Sequence, residues 1–446
     1  MPSDPSPSGS PPRRDLGVIF LTIFIDLVGF SIIFPIFPAL LDHYLATEGE
    51  QGLFGAVIAF LQNIHPGDTV GGLMIHAVLF GGLLGSLYSF LQFICAPFWG
   101  KLSDRLGRRT VLLYTVGGTA LSYLLWLGSE SFLFFILARL LSGAMAGNLA
   151  VATAAIADVT SRENRSRGMA LVGIAFGLGF VMGPALGGLS ASWNVAAWLP
   201  FAETIGYHPF AGPALLAFVL ATLNWCWVYF RFAETLPPEK RQSAPRADRP
   251  SAKRFLDPAF PAAVRRTNLV FLCYIIAFSG MEFTLTFLAF ERFAFSPRQM
   301  ISIFLFVGFV IILTQGLIVR RLGPVWGEKP MALTGLSAVA LGLLGIAFSG
   351  NLLMLFTSLF FLACGSGLIN PAVSALISLY SPEETQGAAL GVFRSLGALG
   401  RAIGPLLAAL LFWWWGSTAA YSVGALLMIP PLLLALSLPP ARSTGS

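Results

Sequence analysis

The sequence predicts an all-α polytopic membrane protein, with twelve transmembrane helices in two pseudo-symmetric six-helix bundles. Three observations lead there. Of 446 residues, 56% are hydrophobic and only 11% charged, and the mean hydropathy is +0.77, outside the range of soluble globular domains. Apolar runs long enough to cross a bilayer recur about twelve times. A Gly/Pro segment of the fifth run, Gly179-Phe-Val-Met-Gly183-Pro184-Ala-Leu-Gly187-Gly188, returns in weaker form in the eleventh as Gly400-Arg-Ala-Ile-Gly404-Pro405, about half a chain later.

In chain order the runs lie near 16–41, 78–99, 111–128, 132–157, 169–190, 209–230, 267–290, 299–319, 331–348, 352–379, 387–412 and 418–438. Residues 1–15 form a tail with Arg13 and Arg14 and no small-residue cleavage site, so the first run is expected as a retained helix rather than a signal peptide. Residues 16–230 make the first bundle and 267–438 the second. Between them 231–266, rich in Pro, Arg and Ser, reads as a linker, and 439–446 as a second tail. The segment 42–77 is a long insertion whose 53–64 stretch suits a short amphipathic helix on the bilayer surface.

Charge fixes the expected orientation. With both termini cytosolic, cytosolic segments hold 22 of the 27 Lys and Arg, and the opposite side keeps only Arg292 and Arg298. That asymmetry is the positive-inside pattern. The net charge of +6 therefore belongs to membrane loops, where it suits anionic lipid headgroups and not nucleic acid. Cys95, Cys226, Cys273 and Cys364 all fall inside apolar runs without metal spacing, so neither a disulfide nor a metal site is expected. The chain has no phosphate loop, nucleophile elbow or metal cluster. No enzyme activity, cofactor or use of ATP is expected. His43, His65, His76 and His208 fall in extracytosolic loops, and the sequon Asn164-Arg165-Ser166 falls on the cytosolic side, where it stays unmodified.

The most specific stretch is the charged island between the second and third runs, Gly100-Lys-Leu-Ser-Asp104-Arg105-Leu-Gly107-Arg108-Arg109. Gly100 and Gly107 permit close approach and a turn with φ > 0. Asp104 is expected to pair with a neighbouring arginine and cap the next helix, and Asp158 to complete the latch through Arg105 or Arg109. The island resembles motif A of the major facilitator superfamily, which implies a loop that latches one conformation of a transporter. A second island, Arg320-Arg321-Leu322-Gly323, sits where that motif would repeat but lacks the acid.

Other segments extend the resemblance. Asp26-Leu-Val-Gly29 through Pro35-Ile-Phe-Pro38 is similar to the first-helix motif of the drug-and-proton antiporter branch, Arg139-Leu-Leu-Ser-Gly143 to motif B, and the Gly183-Pro184 segment to motif C. Phe278-Ser-Gly280-Met-Glu282 onward and Phe393-Arg394 through Pro405 resemble a tetracycline-transporter-like branch in animals. That likeness implies an organic-anion efflux antiporter, in an endomembrane or the nuclear envelope. Gly179, Gly183, Pro184, Gly187 and Gly188 then serve close helix contact and a kink.

Five ionisable groups lie inside the runs: Asp26, Arg139, Glu282, Arg394 and Arg401. Each costs roughly 2.5–3.5 kcal/mol to insert, so each needs a partner or a task. At about 1.5 Å per residue, Asp26 lies roughly 15 Å and Arg139 roughly 11 Å from the ends of their runs, both near the midplane. The same arithmetic brings Glu282 and Arg401 to matching depths. Asp26 and Glu282 are candidate proton carriers, with Arg139 beside Asp26. Arg394 and Arg401, seven residues apart on one helix face, are candidates for an anionic substrate head, with Glu282 as their counter-charge. A static Asp26–Arg139 pair that fixes helix register remains the alternative.

The leading functional reading is proton-linked or exchange antiport of amphipathic organic anions by a monomer, with protons and membrane lipids as its other partners. A lipid or lysolipid transporter, and a non-transporting membrane sensor or scaffold, stand as alternatives.

Overall fold

The computed structural model describes residues 13–49, 52–64, 69–70, 73–160, 165–195, 208–241, 257–258, 260–382 and 385–439. Residues 1–12 and 440–446 of the tails, 242–256 of the linker and Asn164 of the sequon lie outside the described residues.

Lipid offers no partner to a backbone amide, so apolar runs bond internally as helices. Helix α1 (Arg13–Ser31) passes through a 3-10 turn (Phe34–Ile36) into α2 (Phe37–Glu48), with Pro35 and Pro38 at helix starts where their missing N–H costs nothing. The first run therefore stays helical beyond its expected end at 41. Helix α3 (Leu53–Ile64) fills the inserted segment over the range anticipated, presenting Leu53, Phe60 and Ile64 outward. A hairpin of Thr69–Val70 with Leu73–Met74 is a small departure from the all-α expectation.

The first half continues with α4 (Ile75–Leu106), α5 (Arg108–Leu127), α6 (Phe132–Met145), α7 (Asn148–Val159), α8 (Arg165–Ser190), α9 (Ala211–Arg231) and the short α10 (Pro238–Arg241). The second comprises α11 (Ala262–Phe293), α12 (Pro297–Leu313), a π turn (Thr314–Val319), α13 (Arg320–Trp326), α14 (Glu328–Ala347), α15 (Leu352–Tyr380), α16 (Gln386–Leu426) and α17 (Ile429–Leu436). Ten stretches of the described residues are long and apolar enough to cross a membrane. One of them, Ala388–Leu436, takes in both the eleventh and twelfth expected runs, with a break at Gly416 (φ 81°), and the fifth expected run lies within α8.

The repeat read from the sequence is a packing device used twice. A Cβ on Gly183 would lie 2.0 Å from Ser31 Oγ, and one on Gly187 would lie 1.9 Å from the Ile32 carbonyl oxygen, so α8 rests on α1 backbone to backbone. In the second half a Cβ on Gly404 would lie 2.1 Å from Ser279 Oγ and 2.4 Å from the Ile276 carbonyl oxygen. The serines match as well. Ser31 Oγ donates to the Gly179 carbonyl and Ser279 Oγ to the Gly400 carbonyl, each at 3.2 Å.

The halves meet most closely at the end carrying α2. There Gly82 of α4 sits under Pro405 and Ala409 of α16, Gly188 of α8 under Pro297 and Ile301 of α12, and Phe37 packs edge-on against Phe283 and Phe287. Arg292 secures the second half at this end. Its Nη1 donates to the Ile346 and Ser349 carbonyls and its Nη2 to the hydroxyls of Ser417 and Thr418. Those carbonyls end α14, where a cation is favourable.

His208 is buried at the same end of the first half. Phe210 N–H donates to its Nδ1 at 3.2 Å, which leaves Nε2 to donate to the Trp126 carbonyl at 3.3 Å. This network suits a neutral ring, and burial lowers its pKa from 6.5 to about 4.

Two outcomes are expected. Gly187→Val should lower stability by about 1–3 kcal/mol or more, because the side chain must displace backbone. Gly177→Ala, with open space around it, should leave stability unchanged or slightly raised. Thermal unfolding in detergent reads both. For His208 the unfolded chain takes up a proton first as pH falls, so its contribution is complete above pH 6.5 and is lost between 6.5 and 4. The loss reaches about 3 kcal/mol. His208→Gln should flatten that part of the stability profile.

Candidate functional site

The island between α4 and α5 folds as a tight turn on Gly107, whose φ of 99° requires glycine. Space requires it too, since a Cβ there would lie 2.1 Å from Glu234 Oε2. Arg108 is the centre of the latch. Its Nη1 pairs with Asp104 Oδ1 and donates to Ser103 Oγ, both at 2.6 Å, and its Nε pairs with Asp158 Oδ2 at 2.9 Å. Asp158 therefore reaches Arg108, not Arg105 or Arg109. The arrangement follows from the turn, which folds Arg108 back between the ends of α4 and α7 and leaves Arg105 exposed. Arg109 instead donates to the Tyr229 carbonyl at 2.7 Å. Open space surrounds Gly100, so no close contact there depends on it.

Asp104 does not cap α5, because Arg108 engages it. Glu234 does that work, accepting the backbone N–H groups of Arg108 (2.7 Å) and Arg109 (3.3 Å) and pairing with Arg241 at 3.6 Å. Glu234 lies in the segment 231–266 that the sequence marks only as a linker. In the second half the matching turn falls on Gly327 (φ 78°), not Gly323, with Pro324 standing where Asp104 would be. Lys329 there donates to the Leu436 and Leu438 carbonyls at the end of α17.

Between the halves lie two adjoining pockets that share Phe30, Ser89, Phe180 and Arg401. Glu282, Ser279 and Phe283 complete one; Asp26, Tyr88 and Gln92 complete the other. Glu282 and Arg401 interact electrostatically, as their depths suggested. Arg394, two turns away on α16, is not among the described residues lining either pocket. Asp26 and Arg139 do not form the expected pair. Asp26 Oδ1 accepts from Asn148 Nδ2 at 2.6 Å, while the Arg139 guanidinium lies over the Tyr88 ring, 5.2 Å from its centroid. Tyr88 stands in the electrostatic reach of both. Arg139 keeps a buried Nη1 with no hydrogen-bond partner among the described residues. Asn148 is not among the ionisable groups that the sequence singles out; its signal is an uncharged amide inside an apolar run.

The arrangement can hold an anion. Arg401 offers a cation at a boundary lined by aromatic rings, with Phe30 against Tyr88 at 4.6 Å and against Phe180 at 5.8 Å; Glu282 interacts with it, and Asp26 lines the second of the pockets it borders. The family profile described as Major Facilitator Superfamily matches residues 19–326 and 270–446. The chain belongs to that superfamily. Its members are transporters, not enzymes. Major facilitator superfamily domain-containing protein 10 of Bos taurus is 34% identical over 97% of this chain and 95% of its own. The crystal structure of the human organic anion transporter MFSD10 (TETRAN) superposes with a TM-score of 0.73 at 33% identity, covering 95% of this chain and all of that one. The class B tetracycline resistance protein of Escherichia coli is 29% identical over 88% of this chain and 87% of its own. The superfamily's two-bundle fold accounts for the paired glycine contacts.

The latch should be measurable on its own. Glu234→Gln should weaken the α5 cap by about 1 kcal/mol. Arg108→Ala, which leaves Asp104 and Asp158 without their shared cation, should cost about 2 kcal/mol or more. Thermal unfolding of the purified variants gives the order.

Proposed function

We propose that the chain is an antiporter that exchanges small amphipathic organic anions for protons by alternating access. The observation that carries this reading is the meeting of Arg401 and Glu282 in one pocket, with Asp26 lining the pocket that adjoins it and shares Arg401. Arg401 binds the anionic head of the substrate by charge-assisted hydrogen bonds, and the phenylalanines take its apolar body. Glu282 occupies Arg401 when substrate is absent. Protonation of Glu282 frees the cation for substrate, and substrate release allows the carboxylate to return. Asp26 serves as a second proton site. The names of the relatives support this reading: one is an organic anion transporter, and another confers resistance to tetracycline. On the orientation given by the basic loops, the latch faces the cytosol and the α2 end faces the opposite compartment.

Proteoliposomes holding the purified protein provide the test. A radiolabelled amphipathic carboxylate should enter faster under an imposed pH gradient, and Arg401→Ala should lower that uptake about ten- to a hundredfold, the value of one or two charge-assisted hydrogen bonds. Equal uptake with and without the gradient, or full uptake by Arg401→Ala, would overturn the proposal.

A further inference from the structure

The fourth span is broken in its middle. Helix α6 ends at Met145, Ala146 and Gly147 form a turn, and α7 begins at Asn148. Breaking a helix inside a membrane strands backbone groups that lipid cannot serve. Here three of them are met by side chains. Trp99 Nε1 donates to the Ala144 carbonyl at 2.7 Å and Gln92 Nε2 to the Ala146 carbonyl at 3.3 Å, both from α4. The Leu149 N–H, diverted from its helical acceptor, donates to Asn148 Oδ1 at 2.9 Å. Asn148 thus uses its carbonyl to hold the start of α7 and its amide to hold Asp26, and it is buried.

The second half contains the same tie without the break. Five residues before Ser31 stands Asp26, and five before Ser279 stands Tyr274. Asn370 Nδ2 donates to the Tyr274 hydroxyl at 3.3 Å, as Asn148 donates to Asp26. Yet α15, which carries Asn370, runs unbroken from Leu352 to Tyr380 even though Pro371 lies within it. The half whose tie ends on an ionisable carboxyl has the interrupted helix. The half whose tie ends on a phenol has the continuous one.

We propose that the turn at Ala146–Gly147 is a hinge set by the charge of Asp26, with Asn148 the positioning residue that connects the two. This rests on the reading of Asp26 as a proton site. An ionised carboxylate holds the Asn148 amide by a charge-assisted bond and keeps the α7 start in place. A neutral carboxyl holds it more weakly and releases the hinge. Four other groups surround this site: Tyr88 from α4 and Tyr123 from α5, both within the electrostatic reach of Asp26, Arg139 from α6 over the Tyr88 ring, and Arg401 from α16, which lines the same pocket. None of them contacts the broken backbone in place of Asn148. Gln92 brings in the substrate side, because it lines the pocket and also caps Ala146. A ligand that takes the Gln92 amide loosens the same turn.

The test is amide hydrogen exchange of the peptide covering 146–151, read by mass spectrometry on the full-length protein in nanodiscs. Four forms are compared at one pH: wild type, Asp26→Asn as a neutral mimic, Asn148→Ala, and the double variant. Asp26→Asn should speed exchange about tenfold in the wild-type background and have little effect when Asn148 is already alanine. Equal acceleration in both backgrounds, or none in either, would overturn the proposal. Exchange across α15 checks that each variant is folded, and Asn148→Asp offers a second substitution if the alanine fails that check. The outcomes separate from the transport assay. Coupling at 146–151 without gradient-driven uptake retains the hinge and removes the antiport reading. Uptake without coupling does the reverse.

Discussion

The pocket exists because two pairs of helices touch without side chains between them. Where α8 rests on α1, and α16 on α11, a methyl group would strike a carbonyl oxygen or a serine hydroxyl. Apolar side chains gain little from meeting one another in lipid that is equally apolar, so close backbone contact and shared hydrogen bonds supply the attraction. These contacts hold α1, which carries Asp26, against α8 and α11, which carries Glu282, against α16. The polar groups of the interior depend on that geometry for their partners.

The polar ledger of the interior is closed locally wherever the chain departs from a straight helix. Gln92 and Trp99 serve the turn in the fourth span, and Arg292 serves the end of α14. Arg139 has one guanidinium nitrogen without a hydrogen-bond partner among the described residues and an aromatic face beneath it. A cation over a ring is a softer restraint than a salt bridge. It holds Arg139 at Tyr88 and leaves Asp26 bonded to Asn148.

Much of this was legible in the residues. Run lengths gave the helices, because crossing a bilayer imposes a length and a composition. The Gly179–Gly188 spacing gave the close contact, because glycine at every fourth position of an apolar helix has few other uses. Depth counting brought Glu282 and Arg401 together. It failed for Asp26 and Arg139, since depth says nothing of rotation about the helix axis, and an uncharged amide from α7 stood nearer. Glu234 was hidden for a different reason. Its role depends on the chain turning back after α9 to meet α5, and no local pattern in 232–241 announces that path. The latch partner of Asp158 was likewise a matter of which arginine the Gly107 turn swings inward.

The two halves differ at the end where they close. In the second half α11 passes to α12 through Ala294–Ser296, α14 to α15 through Phe348–Asn351, and the last two spans are joined at Gly416, so tight turns are all it shows there. The first half carries α3 and the hairpin there, beside the end of α2. In topographic terms this face has relief on one side and is flat on the other. An antibody fragment raised against it would grip the first half, and the second half would matter to it mainly as an obstacle. Such a reagent could follow the relative movement of the bundles while touching only one of them.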